Sequence, residues 1–214
     1  MHHRTPWFQE NQDFYRSLNH EVGEVYPELH FLIRNNTAFL RGSFPIREGK
    51  KTVDRFHIEV EFPPHYPKGI PVVFEIAGRI PRTADRHTYP SGEACLYFPL
   101  QLAEVVPEGT GLLDFLSGPV LSFFFSQTYF EQTGKWPFGE WPHGEKALFE
   151  FYSSILGINN QLVISQFLRV INKKEIKGHW PCPCGSGKLL RHCHFDIVSK
   201  LNRDYQYAMR QKNL

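Results

Sequence analysis

The segment Phe56-His57-Ile58-Glu59-Val60-Glu61-Phe62 constrains the fold more than any other stretch of the chain. Apolar and polar residues alternate strictly in it, and side chains on a strand point to opposite faces in turn. The segment therefore reads as a half-buried strand. Residues 30–33 and 38–44 read as two more strands, with Asn35-Asn36 as the turn between them. Val72-Val73-Phe74-Glu75-Ile76 is a fourth, and residues 47–51 are a polar loop. Upstream, Phe14, Leu18 and Val22 fall on one face of a helix over about residues 6–26. Downstream, residues 112–129 read as helical with Pro119 at a kink or a new start. Residues 134–144, rich in Trp, Pro and Gly, form a loop, and helices are expected at 145–156, 161–171 and 197–214. Residues 173–178 read as a linker.

The fold class that follows is α+β: a helix, a four-stranded antiparallel meander and C-terminal helices. A length of 214 residues leaves room for one main core and a small appendage. Hydrophobic residues at 41% and aromatics at 15% mark a globular chain. A formal net charge of +2 argues against a dedicated nucleic-acid binder, so nucleic acid is not an expected partner. The longest apolar stretch, residues 111–125, holds Asp114, Gly118 and Pro119 and reads as a core helix, not a membrane span. No apolar run follows Met1-His2-His3-Arg4-Thr5-Pro6, and the expectation is a soluble cytoplasmic protein.

The four cysteines divide unevenly: Cys182, Cys184 and Cys193 crowd near the C-terminus, and Cys95 stands alone. A disulfide framework would spread pairs along the chain, so this pattern suits a reducing compartment with one metal cluster and one free thiol. Cys182, Cys184, Cys193 and His194 supply the four ligands of a tetrahedral structural zinc site. His192 competes with His194 on spacing. Gly185-Ser186-Gly187 permits a tight turn whose amides can face the sulfurs, and Lys188 and Arg191 add compensating charge. The run from Trp180 to His194 closely resembles the SEC-C zinc motif, named for the C-terminus of the SecA family, in the variant with histidine as the last ligand. In that motif zinc serves folding and partner contact. A closed four-ligand site leaves no position for a substrate.

Cys95 follows a Tyr89-Pro90-Ser91-Gly92 turn, a setting that favours exposure. Thioester exchange needs an accessible thiolate without a metal partner, and Cys95 meets that description; a buried core cysteine is the competing reading. Phe62-Pro63 with Tyr66-Pro67, followed by Gly92, Cys95 and Leu96, resembles the ubiquitin-conjugating enzyme family over about residues 6–156. The family places an Asn eight positions before the cysteine, where this chain has His87. The resemblance implies catalytic roles for Cys95 and for His87, the latter as oxyanion donor or general base. It implies a domain over residues 1–172, followed by a zinc motif and helix over 173–214. It is strongest toward bacterial relatives, including those of antiphage CBASS operons. The carrier would then be a protein with a C-terminal carboxylate, such as a cGAS-like nucleotidyltransferase with its own C-terminal glycine, and the acceptor a target amine. No phosphate-cradling loop is present, so activation comes from another protein or the carrier arrives activated. Two other readings stand beside this one: a non-catalytic binding module of the same fold, and a cysteine hydrolase pairing Cys95 with a histidine. Tyr89 and Arg86 are candidates for the groove around the cysteine, Asp114 for orienting an incoming lysine. His57, Tyr129, Trp136, Trp141 and His143 read as structural or surface residues.

Overall fold

The computed structural model describes residues 5–98, 101–138 and 144–212. Pro99, Trp141 and His143, named above, lie outside the described residues. The elements run α1 (Trp7–Glu10), α2 (Gln12–Val25), β1 (Leu29–Arg34), β2 (Thr37–Glu48), β3 (Lys51–Glu61), β4 (Val72–Glu75), α3 (Leu102–Val105), α4 (Leu112–Phe115), α5 (Leu121–Thr133), α6 (Gly144–Leu156), α7 (Gln161–Ile171) and α8 (Phe195–Lys212). The chain divides into two compact units. One holds residues 1–98 and 104–139; the other is built mainly from residues 140–213.

In the first unit the four strands form one antiparallel sheet in the order β1-β2-β3-β4, as the alternation predicts. Asn35 and Asn36 both adopt positive φ, the two-residue turn whose twist suits a hairpin. The expected loop at 47–51 is shorter than its polar composition suggests. Strands β2 and β3 continue through Glu48 and from Lys51, so only Gly49 and Lys50 turn, after a register shift at Ile46/Arg47. Edge polarity does not stop a ladder whose inward residues remain apolar. The single N-terminal helix expected over 6–26 is instead two, broken at Asn11, whose side chain accepts the Phe14 N–H and caps α2.

Leu40, Phe44 and Ile46 of β2 and Phe56, Ile58 and Val60 of β3 are all essentially inaccessible. Leu116, Val120 and Phe124 are equally buried, and the Phe124 ring lies 4.8 Å from Phe56 and 5.9 Å from Phe44. Pro119, expected at a kink or a new helix start, falls between α4 and α5. It sits inside a π-helical turn, Leu116–Val120, that links α4 to α5. The wider turn absorbs the missing N–H and the ring bulk of proline. Trp7 of α1 packs on Phe62 and Tyr66, within the Pro-rich turn that follows β3, and the Tyr66-Pro67 bond is cis. Burial pushes the Tyr66 hydroxyl up to about 12.

An ion-pair chain ties strand, loop and helix together. Arg79 donates to both carboxylate oxygens of Asp54 and to Glu131; Arg86 also reaches Glu131; the Thr128 hydroxyl donates to Asp54. The Arg79 hydrogen bond is the main cause holding the Asp54 carboxyl below its usual value, against a burial effect that raises it. The contribution is fully present above the ordinary carboxylate value and is lost as pH falls through the depressed folded value. In wild type, urea midpoints are therefore expected to fall as pH drops below the ordinary carboxylate value, and Arg79→Met should flatten that limb. Equal acid slopes in the two proteins would remove the ion pair as its cause.

The second unit has its own core. Tyr152 and Leu156 of α6, Ile164, Phe167 and Ile171 of α7, and Val198 and Leu201 of α8 bury together with Cys182 and Leu190. The second unit thus takes in α6 and α7 together with the C-terminal motif. The C-terminal motif buries too little apolar surface to form a core alone, and α6 and α7 supply the rest. Residues 173–178 are accordingly no free linker. The Asn202 amide donates to the carbonyls of Ile171 and Lys173, and Ile176 packs on the shared core. No helix among the described residues is long and apolar enough to cross a membrane.

Candidate metal centre and candidate thiol site

Pro181 and Leu189 pair as a one-bridge ribbon, closed by Cys182 N–H to Lys188 O at 2.9 Å. The loop between carries Cys184 and turns through Gly185 and Gly187, both at positive φ, a region L side chains rarely adopt. A 3₁₀ turn, Leu190–His192, then swings Cys193 and His194 back toward the ribbon. The four ligand atoms of Cys182, Cys184, Cys193 and His194 all lie within 4.8 Å of one another. Cys184 and Cys193 sulfurs are 3.5 Å apart, and His194 Nδ1 lies 3.2 Å from Cys182 Sγ and 3.1 Å from Cys193 Sγ. The edges of a zinc tetrahedron with such ligands are about 3.5–3.8 Å, so the short pairs would open slightly and the wider ones close slightly around an ion. His192 does not compete: its Nε2 accepts from Arg191 Nε at 3.0 Å, and it is not part of the cluster.

The polar surroundings suit thiolates. The Cys184 thiol donates to the Ser186 hydroxyl oxygen at 3.1 Å. Burial raises Cys184, yet the Ser186 hydroxyl and N–H and the neighbouring thiols outweigh it and bring the thiol down to about 6. Burial pushes Cys182 up to about 12, opposed by the Cys184 N–H and reinforced by the thiols of Cys184 and Cys193. The His194 ring packs edge-on against Phe167 at 5.2 Å, which fixes the imidazole to the core of this unit. The site can hold a metal ion through four protein ligands, and a closed shell of that kind serves structure.

In the other unit, Cys95 lies on a tight hairpin. Thr88 pairs with Ala94, Tyr89 N–H donates to Glu93 O at 2.9 Å, and Cys95 N–H donates to His87 O at 2.8 Å. His87 and Cys95 thus stand directly opposite each other. Ala94 N–H donates to Val73 O and Glu93 bridges Phe74, so the hairpin is moored to β4. Cys95 is half-buried and its thiol donates weakly to Tyr97 O at 3.6 Å and Tyr89 Oη at 3.8 Å. Burial first, then the Cys95 thiol, pushes the Tyr89 hydroxyl up to about 12, so it stays protonated across the neutral range. His87 follows a one-turn 3₁₀ segment, Ala84–Arg86, and takes a left-handed conformation, φ 49° and ψ 42°. Its ring meets Trp136 edge-on at 4.6 Å, and Trp136 stacks on Phe130 at 4.5 Å.

The hairpin thus brings Cys95, His87 and Tyr89 together. Arg86 points elsewhere, into α5. Asp114 is exposed on α4, and no contact ties it to Cys95. His57 is an exposed strand residue opposite Ser43, as the alternation predicts. Trp136, read from sequence as structural, is both that and a neighbour of His87. Gln127 escaped the sequence reading altogether; a polar amide two residues after the Phe123-Phe124-Phe125 run was the available signal. No curated protein and no solved structure matches the chain. The C-terminal cluster, in contrast, has an identity by sequence: residues 181–196 match the SEC-C motif.

Proposed function

We propose that this chain is a ubiquitin-conjugating-like cysteine acyltransferase whose nucleophile is Cys95. The observation that carries the reading is the pairing of a half-exposed cysteine, outside the metal cluster, with His87 across one hairpin. A helix and four-stranded antiparallel meander, then the Phe62-Pro63 and Tyr66-Pro67 turn, precede it in the order the resemblance requires. The Cys95 thiolate attacks the carbonyl of a carrier's activated C-terminus, forming a new S–C bond as the old leaving group departs. A target amine then attacks that thioester, the C–N bond forms, the thiol leaves, and the amine sheds its proton. His87 serves as donor to the oxyanion or as base.

The metal is zinc in this reading, because three thiolates and an imidazole in a closed tetrahedron suit that ion. Such a site binds in a reducing compartment, which fits the cytoplasm. The resemblance to CBASS relatives makes a cGAS-like nucleotidyltransferase with a C-terminal glycine the proposed carrier, and antiphage defence the setting.

The test needs no knowledge of the carrier. Zinc-loaded protein is incubated with a glycine-terminated peptide thioester of 2-mercaptoethanesulfonate, then with free lysine. An adduct is expected on Cys95 by mass, sensitive to excess thiol, discharged to lysine, and absent from Cys95→Ala. A folded wild-type protein that acquires no adduct would falsify the acyltransferase reading and leave the non-catalytic binding module.

A further inference from the structure

We propose that Gln127 of α5 is a positioning residue for the thiol site, acting through Arg86 on the backbone of His87. Gln127 is fully buried, on a helix whose other buried residues include Phe123 and Phe124. A buried amide is costly unless both its ends are bonded. Both ends of this one go to a single residue: Nε2 donates to Arg86 O at 2.8 Å, and Oε1 accepts from Arg86 Nε at 2.9 Å. The remaining contacts of Arg86 strengthen the hold. Its guanidinium reaches Glu131 at 3.1 Å and lies over the Phe130 ring, and the Thr88 hydroxyl donates to its carbonyl.

Arg86 immediately precedes His87, whose left-handed backbone is a conformation non-glycine residues seldom take. Such a conformation persists where the surroundings over-determine it. The Gln127 clamp fixes the peptide before it, and the Cys95 N–H fixes its carbonyl. The Phe130–Trp136 stack fixes its ring from the same helix and the turn beyond. Helix α5 therefore sets where the His87 imidazole stands relative to Cys95, while touching neither sulfur nor acyl group itself. An apolar residue of similar size at position 127, such as leucine, would fill the core and release the hairpin.

The kinetic part of the test rests on the acyltransferase reading; the spectroscopic part does not. Wild type, Gln127→Leu and Gln127→Glu are compared as full chains, zinc-loaded. Trp136 places the His87 ring protons in its ring current, so their NMR resonances report the placement directly. In folded Gln127→Leu those resonances are expected to move toward free-histidine positions. With the same peptide thioester, acylation of Cys95 should persist while discharge to free lysine slows about tenfold or more, as loss of alignment predicts. Gln127→Glu keeps an acceptor for Arg86 Nε and lacks a donor for its carbonyl, so it should fall between. Folded Gln127→Leu with unshifted His87 resonances, or with wild-type discharge, overturns the proposal. If wild type takes up no acyl group, the acyltransferase reading fails and the His87 resonances alone decide the clamp: a shift sustains it, no shift overturns it.

Discussion

Removing the metal from the C-terminal unit with a chelator is expected to unfold residues 144–212 while the sheet unit keeps its structure. Structural zinc sites in small domains contribute apparent free energies of about 10–16 kcal/mol at neutral pH. Whole domains are stable by only about 5–15 kcal/mol, so the site can account for all of the stability here. The cluster is not an ornament on a finished core: Cys182 and Leu190 are buried among Phe167, Ile171 and Val198, and His194 packs on Phe167. Backbone amide exchange should report the loss unit by unit, with Cys184→Ser reproducing it without chelator. Metal uptake should release protons near neutral pH, since Cys182, at about 12, enters the site protonated while Cys184, at about 6, is already largely a thiolate. The affinity should accordingly weaken as pH falls. Unchanged exchange protection in residues 144–212 after chelation would show that the cluster does not hold this core.

Gly42→Ala should destabilise the sheet unit by on the order of 4 kcal/mol or more. Gly42 lies mid-strand in β2, between Leu29 and Ile58, at φ +150°. A Cβ there would fall 1.8 Å from the Glu28 carbonyl oxygen and 2.9 Å from its carbon. Both are backbone atoms at the entry to β1, and no side-chain rotation relieves the contact. Only a shift of the β1–β2 pairing would, and that pairing carries Leu29 and Leu40 into the core. Gly23→Ala in α2 is the matched control: nothing lies within 4 Å of its Cβ, and alanine should stabilise that helix by up to about 1 kcal/mol. Urea unfolding of the two variants would settle the comparison; a Gly42→Ala midpoint close to wild type would mean that the strand crossing is softer than its geometry implies.

The sheet was legible because its cause is local. Strict alternation from Phe56 to Phe62 can bury one face only as a strand, and the Asn35-Asn36 pair can turn only as a tight hairpin. The metal cluster was legible for the same reason: the ligands lie within thirteen residues, and the glycines that turn the chain sit between them. The reading of His194 as the fourth ligand, with His192 competing on spacing, gains its physical reason in the fold: the adjacent Arg191 engages His192, and Phe167, from another helix, holds the His194 ring.

Two further features needed tertiary structure. The unit boundary near residue 140 follows from which surfaces bury one another, and helices α6 and α7 carry no sequence mark saying that their apolar faces belong with the metal ribbon. The thiol site shows the division most clearly. Sequence alone determined that Cys95 was the cysteine outside the cluster and that a turn preceded it. Only the folded chain set His87 across from it, in a left-handed conformation held by a buried Gln127 some forty residues later. Short-range sterics and side-chain period are written into neighbouring residues, whereas the pairing of distant polar groups is fixed by the packing that brings them together.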